Sequence, residues 1–593
     1  MRSLGVICCL FLTAASVHAA EYFFDSATGL DENVGTSEAA AFRSLEKLAK
    51  LALEPGDVVH LKRGCTFRGR LRSQGNGTED KPIRLTAYGE GPKPEILGSI
   101  VLEGWQRYEG EIHKVAMTPE QFIGHKRVFG VFEYDEGVPV RLVRDREAIP
   151  TERGHFFFDE ESLTLYVITA DGSAPSEHRL EVAVIEQLVD LNERSWIEID
   201  GLAFLFGNCR HLGVRESHDI TIRGCASLFV GHYGNPNVMF TRNTTRARLL
   251  DCFLYENING GVFISSGASE CLVSGCTIVK CASNDGVTLH SGGRDEHGVR
   301  QGITGDHCIV ENNLIGLCPE ESIDITSGDH HIIRGNICYG NGNPGIIVGH
   351  DSDHILIENN ICFGNRRSGI QVQGKAEEGA RGYNRVIRNL VYDNGYPGLE
   401  IAMNNTEVLN NTVVNSRERV AIRINPASEG SVLRNNLILT LDLTIPHPSL
   451  HFIRCTPAGL GAKLSHNLFF HAGDVRKPEV FFPVGSLIRT DDGAFTLESF
   501  LAKYGTGEAS FVAEPGFRDT DDGYYLLSPD SPAVDAGTDV GLPFMGKTPD
   551  LGWKELGSED TAPKYPPFLI DGEDDEAKIL YLWGKSDTLP PGN

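Results

Sequence analysis

Two short stretches decide the fold: Asn336-Ile-Cys-Tyr-Gly-Asn341 and, 24 residues later, Asn360-Ile-Cys-Phe-Gly-Asn365. Working outward from them, Cys225, Cys252, Cys276, Asn313, Asn389, Asn411 and Asn436 fall at the same turn position as Asn336 and Asn360, at intervals of 22 to 29 residues with one of 37. A second element follows each turn: Gly261-Val-Phe-Ile, Gly286-Val-Thr-Leu, Ser322-Ile-Asp-Ile, Gly345-Ile-Ile-Val, Gly369-Ile-Gln-Val, Gly398-Leu-Glu-Ile and Ala421-Ile-Arg-Ile. A period of this length means stacked repeats. Short two-period strands of Ile and Val punctuated by Gly and Asn make the repeat β, not helical. One coil cannot bury its apolar residues alone, but stacked coils bury a continuous column. The pattern therefore predicts an all-β, right-handed parallel β-helix, with Asn at the repeated turn tolerating left-handed backbone and forming side-chain amide ladders.

Alternation assigns the faces. With the flanking apolar residues pointing in, Phe263, Thr288, Asp324, Ile347, Gln371, Glu400 and Arg423 form an outward ladder at about 4.8 Å per step. Charged or amide residues hold four of those seven rungs.

Around this solenoid the sequence implies further parts. Residues 1–19, with Arg2, an apolar run and Val17-His-Ala19, read as a secretory signal peptide, which implies a secreted or periplasmic protein. Residues 20–100 hold an N-terminal cap and the first coils, with Phe42, Leu45, Leu48, Ala49 and Ala52 on one face of a helix over 37–53. A β-rich insert is expected over 101–185, solenoid repeats over 186–440, C-terminal coils and a capping segment over 441–557, and a loosely held acidic, Pro-containing tail over 558–593. No apolar run after the signal reaches the roughly 18 residues that a membrane span needs.

A net charge of −27 argues against nucleic acid as a partner. It also requires a local cationic site or a bound metal for any anionic substrate. Of the 14 cysteines, Cys338 and Cys362 occupy matching segments and stack coil upon coil, as buried thiols or as disulfides between neighbouring coils. No CxxC pair suggests a structural zinc.

The constellation with most chemistry is Glu320-Glu321-Ser-Ile-Asp324, with Asn284-Asp285-Gly on the preceding coil. Stacking brings Asp285 beside Glu320 and Glu321, with Asp324 pointing outward close by. Such carboxylates repel one another unless some protonate or a cation sits between them. Calcium suits the set, since it accepts six to eight oxygens in flexible geometry. A solvated acidic turn is the alternative.

The Asn-Asp-Gly coil, the two-acid, small, apolar, Asp segment and the Asn-rich coils up to Asn404-Asn405 together resemble the family-nine polysaccharide lyases, calcium-dependent pectate lyases built on this β-helix. The resemblance implies that Asp285, Glu320, Glu321 and Asp324 hold calcium. It also implies a catalytic lysine where this chain has Gln371, so Lys375, four residues on, is the candidate base; Arg367 is a second catalytic candidate, read from the residues and not from the resemblance. Ser327-Gly-Asp-His and His350-Asp-Ser-Asp-His are similar, more weakly, to the alginate and chondroitin lyases of family six.

Elimination across a uronate removes the C5 proton beside a carboxylate, so it needs a cation on that carboxylate and a base at the carbon. Lys375 and Lys280 are the lysines nearest the acidic cluster in sequence, and Arg366, Arg367 and Arg381 are able to bind substrate carboxylates bidentately. Gln371, His290, His350, Arg381, Glu400 and Asn404 are candidates for contact with sugar. His330 and His331 face opposite sides of a strand, and 291–301 reads as a protruding loop. The sequence thus points to an exported, monomeric enzyme acting on an acidic polysaccharide, a calcium-dependent lyase. Two alternatives stand beside it. One is a glycosidase pairing Asp324 with Glu400 or Glu321, for which about 5 Å between carboxyls means retention and about 6.5–9.5 Å inversion. The other is a glycan-binding module without activity.

Overall fold

The computed structural model describes residues 19–135, 137–231, 236–290, 305–373, 382–416, 420–425, 428–441, 451–455, 461–472, 488–519, 523–558 and 576–586. Three long sheets run along one axis. Sheet 1 has 14 strands from Glu21–Phe24 to Lys463–Ser465, sheet 2 has 14 from Thr66–Arg68 to Phe511–Val512, and sheet 3 has 13 from Gln187–Asn192 to Gly493–Phe495. From Ser195 to Thr490 each coil contributes one strand to each sheet. In one coil these are Ile309–Glu311, Leu314–Gly316 and Ile323–Asp329, in the next Ile332–Arg334, Ile337–Tyr339 and Ile346–Asp353. Pairing within the three sheets is parallel throughout the stack, and only the terminal Gly493–Phe495 of sheet 3 pairs antiparallel.

The inward residues form the column that the pattern required. Val262, Val287, Ile323, Ile346, Ile370 and Leu399 are fully or almost fully buried and stand in line on sheet 3. The turn between sheets 1 and 2 carries the amide ladder. Asn389 Nδ2 donates to Asn411 Oδ1 at 3.0 Å and to Ile357 O at 3.0 Å, while Asn389 Oδ1 accepts from the backbone N–H and the Nδ2 of Asn360 at 2.9 and 3.0 Å. The same links join Asn313, Asn336 and Asn360 on one side, and Asn411, Asn436 and Asn467 on the other. A second, shorter ladder of Asn341, Asn365 and Asn394 lines the next turn.

The left-handed backbone that the sequence reading gave to the ladder asparagine falls one residue earlier. Asn312, Gly335, Asn359, Arg388, Asn410 and Asn435 have φ between 53° and 65°. The preceding residue bends the chain, which leaves the ladder residue free to point its amide inward. Twelve cysteines are buried free thiols, with Cys338 directly beside Cys362 on sheet 2.

The expected helix over 37–53 is only a 3-10 turn, Glu38–Ala40, and one α-turn, Leu45–Leu48, capped by the Ser44 hydroxyl. Phe42 is held in a bridge to Phe24, and the Asp31 carboxylate accepts the Arg43 and Ser44 N–H groups, so the chain between them cannot coil. A longer helix, Leu497–Tyr504, lies at the other end of the solenoid, where Phe500 is buried against Phe495 and Tyr504.

Residues between Ser99 and Ala183 form a four-stranded and a five-stranded sheet, almost wholly antiparallel, before Gln187–Asn192 and Ser195–Asp200 resume the coils. The outer face of sheet 2 is covered as well. Trp553 and Trp583 are buried there, and the helix Glu576–Trp583 docks with Trp583 stacked 6.1 Å from Tyr134. This part of the tail is therefore held, contrary to the loose segment the composition suggested. No helix among the described residues is long and apolar enough to cross a membrane. With sheet 2 covered, the outer faces of sheets 1 and 3 stay open, and the acidic residues singled out in the sequence fall on the sheet-3 side.

Asn389→Ala removes the acceptor for Asn360 and the donor to Ile357, inside a dry turn. Each buried group left unpaired costs roughly 1–3 kcal/mol, so the urea midpoint of this variant is expected to fall by a shift equivalent to at least about 2 kcal/mol. An unchanged midpoint would show that the amide ladder does not hold the coils together.

Candidate functional site

Strand pairing fixes the outer ladder of sheet 3 residue by residue. Phe263 pairs with Thr288, Thr288 with Asp324, Asp324 with Ile347, Ile347 with Gln371, Gln371 with Glu400 and Glu400 with Arg423. The acidic cluster sits at the edge of this ladder. Carboxylate oxygens of Asp285, Glu320 and Glu321 all lie within 4.8 Å of one another, the one such grouping of potential metal ligands found among the described residues. Asp285 reaches this place because Gly286 N–H donates to Glu321 O at 2.9 Å, which sets the two turns directly one above the other.

The carboxylates are held by named donors. Thr288 Oγ1 donates to Asp285 at 2.8 Å, the Glu321 N–H donates to the other Asp285 oxygen at 3.1 Å, and Thr326 Oγ1 donates to Asp324 at 2.7 Å. Asp285 is buried, Glu321 and Asp324 are half-buried and Glu320 is exposed. Burial, then the shared hydrogen bond and charge of Asp285, push the Glu321 carboxyl up to about 8. Burial first and the Asp285 charge second raise Asp324 to about 7, against the Thr326 hydroxyl that pulls it down. Asp285 is raised by burial and Glu320 by burial and by Asp285. Such a set binds either protons or a cation. Its hard, closely spaced oxygens, with Asp285 and Glu321 in hydrogen-bond contact, fit a hard divalent ion such as calcium.

The other candidates are placed differently. His290 is exposed on the same face, two residues past Thr288, and stacks on Phe263 with ring centroids 6.2 Å apart. Gln371 is a half-buried rung two steps beyond Asp324. Arg367 is exposed at the turn before Gln371, two coils beyond Glu320 and in line with it. Glu400 accepts from Asn425 Nδ2 at 2.8 Å and lies 3.6 Å from Arg423, so its charge is already engaged. Asn404 is away from the ladder. It lies in the turn that leads back to sheet 1, and its Oδ1 accepts the Glu429 N–H at 2.8 Å, capping the turn of the next coil. His330 is exposed, stacked between His307 and His354, while His331 is buried. Lys280 holds a left-handed turn position after Thr277–Val279.

Lys375 and Arg381, the loop over 291–301 and the signal segment over 1–18 lie outside the described residues, and the His350 side chain does as well. Sequence reasoning missed the two threonines that hold Asp285 and Asp324. Their signal is a hydroxyl two or three residues past each acid, Asp285-Gly-Val-Thr288 and Asp324-Ile-Thr326.

Comparison with known proteins bears on the fold. A family model described as the right-handed β-helix region matches residues 283–438, the stretch that holds the acidic cluster and the amide ladder. A lacto-N-biosidase from Bifidobacterium longum subsp. longum is 41% identical over 84 residues, which is 13% of this chain. The chain spans 5% of that enzyme's length. Among solved structures, the complex of XylC with xylose has a TM-score of 0.48 at 12% identity, covering 84% of this chain and 88% of that one. Pectate lyase Pel9A has a TM-score of 0.34 at 12% identity, covering 91% and 97%. Scores of this size carry no argument about the reaction. The chain is a right-handed parallel β-helix.

The raised carboxyls set a pH dependence. In chelator, the folded protein keeps protons on Glu321 up to about pH 8 and on Asp324 up to about pH 7, whereas the unfolded chain releases them near 4.3 and 3.9. Between those limits the native state binds more protons, so stability falls as pH rises from about 5 to 8. Calcium, or Glu321→Gln in its absence, is expected to flatten that slope in thermal unfolding. Equal slopes for wild type and variant would contradict the assignment.

Proposed function

We propose that this protein is an exported, carbohydrate-active enzyme that cleaves a uronate-containing polysaccharide, with Asp285, Glu320, Glu321 and Asp324 holding a calcium ion. The observation that carries the reading is the convergence of Asp285, Glu320 and Glu321 at the edge of the sheet-3 ladder, beside the outward Asp324. Thr288 and Thr326 orient two of the carboxylates. The Phe263–His290 stack offers a platform beside them for the face of a sugar ring. Arg367, two coils along the axis, is placed to take a substrate carboxylate in a bidentate grip. Calcium, when bound, would neutralise the uronate carboxylate on which negative charge accumulates as the C5 proton leaves. The Gln371 amide orients sugar hydroxyls but cannot abstract a proton, which leaves Lys375 as the proposed base.

A second reading, glycoside hydrolysis, is favoured by the glutamine at rung 371 and by the local likeness to the lacto-N-biosidase. For that chemistry the pair is Asp324 with Glu321. Glu400 stands three rungs from Asp324, a backbone separation of about 14 Å, beyond the spacing of an inverting pair.

The two readings separate in one assay. Mature protein incubated with polygalacturonate, alginate and other uronate polymers is expected to generate ultraviolet-absorbing unsaturated ends in calcium and none in chelator. New reducing ends without that absorbance would replace elimination by hydrolysis. Lys375→Ala is expected to lower turnover by about 10²–10⁴, the range for a positioned proton-transfer group, while calcium affinity is retained. Full activity in this variant would remove Lys375 as the base.

A further inference from the structure

The outer ladder of sheet 3 begins well before Phe263. Leu71 bridges Val189 in parallel, both of them buried, so Arg72 falls beside Asp190 on the outer face. Asp190 then pairs with Gly213, Gly213 with Met239 and Met239 with Phe263. Three guanidiniums converge on Asp190. Arg72 Nη2 lies 3.2 Å from one of its oxygens, Arg215 Nη2 3.3 Å from the other, and Arg70 Nη1 3.9 Å from the first. Gln187 Nε2 also donates to Asp190, at 3.2 Å, and Arg70 Nε donates to Gln187 O at 3.0 Å. Arg72 is exposed, while Arg70, Arg215 and Asp190 are half-buried.

Three positive charges against one negative are more than a structural ion pair needs. Glu186, the other acid that acts on Arg70, lies 3.6 Å from His125, so an excess of at least one positive charge remains. Burial lowers the Arg70 guanidinium first, and Arg72 and Arg215 lower it further against the pull of Asp190 and Glu186. A second anion among the three would relieve that repulsion. Donors are to hand, since each guanidinium carries five and the buried Arg215 Nε has no acceptor among the described residues. Space is to hand as well. Glu186, the residue before Gln187, lines a cleft of about 550 Å³ whose other walls include Lys126 and Arg127 from the insert. In a chain of net charge −27, a local excess of this kind is where an acid group is drawn, and the guanidinium fork suits a carboxylate. Between Asp190 and Asp324 the rungs are Gly213, Met239, Phe263 and Thr288, none of them charged. They span five steps of about 4.8 Å, room for several sugar residues.

We propose that Arg70, Arg72 and Arg215 form a subsite that takes a carboxylate of an acidic polysaccharide, five rungs from Asp324, so that the sugar chain bound at the carboxylate cluster runs across Phe263 toward the first coils. The proposal rests on reading this face as a substrate groove. It needs neither calcium nor Lys375, and it is independent of whether the bound chain is cleaved by elimination or hydrolysis.

The test is binding in chelator, which removes the contribution of calcium. Affinity electrophoresis of the full chain is run through gels containing polygalacturonate, alginate or a neutral galactan. Wild type is expected to be retarded by the acidic polymers at low salt, released by high salt, and unaffected by the galactan. Arg72→Ala, at an exposed position, is expected to weaken binding about tenfold, the loss of one charge-assisted contact. Asp190→Asn removes the competing carboxylate and is expected to tighten binding several-fold, which a purely structural role for the arginines would not produce. Arg223→Ala makes the same charge change as Arg72→Ala at an exposed position on the outer face of sheet 1 and is expected to bind as wild type does. Thermal unfolding of each variant checks that the fold is intact. Wild-type retention of Arg72→Ala, an equal loss in Arg223→Ala, a folded Asp190→Asn that binds no more tightly than wild type, equal retention by the neutral polymer, or no retention of wild type by either acidic polymer would each overturn the subsite. If binding changes as expected while wild type shows no turnover, the subsite stands and the proposed reaction falls. Turnover of a polymer that Arg72→Ala binds as well as wild type does leaves the reaction standing and removes the subsite.

Discussion

Everything in this molecule depends on coils stacking without slipping. A parallel sheet alone resists slippage weakly, because its backbone hydrogen bonds can re-form one step along. The buried asparagines remove that freedom. Each ladder amide is bonded to the equivalent residue of the next coil and, through Nδ2, to a carbonyl of the preceding one, as Asn389 is to Asn411 and Ile357. A one-residue shift would leave several buried polar groups unpaired at once. The ladder therefore fixes register, and register fixes which side chains face outward.

That constraint turns a linear sequence into a surface. Residues 22 to 37 apart along the repeat become neighbours at sheet spacing, which is how Asp285 and Glu321 come into contact although they are 36 positions apart. The 37-residue interval from Cys276 to Asn313 leaves the pairing of Thr288 with Asp324 undisturbed. Covering sheet 2 with the C-terminal segments leaves sheet 3 with a graded outer face. Its rungs run from Phe263, past the carboxylate cluster, to Arg423 beside Glu400.

Much of this was legible in the sequence, because a strict repeat makes alternation unambiguous. The outward rungs from Phe263 to Arg423 follow from counting two residues at a time, and the neighbourhood of Asp285 with Glu320 and Glu321 follows from aligning coils. Legibility failed where the repeat was interrupted or where local chemistry overrode it. The helix expected over 37–53 had the right apolar spacing, but the Asp31 carboxylate and the Phe24–Phe42 bridge hold its first residues extended. Asn404 looked available in sequence, yet the turn it occupies uses its amide oxygen for the backbone of the next coil.

The central claim is that four acids at this face, Glu320 exposed and the other three buried or half-buried, form a cation site and not a solvated acidic turn. The most direct measurement is a crystal structure of the mature protein grown with calcium, compared with one grown in chelator. The account predicts a calcium peak enclosed by Asp285, Glu320, Glu321 and Asp324 in the first crystal, and a direct Asp285–Glu321 hydrogen bond in the second. Water alone between these carboxylates at saturating calcium would contradict it.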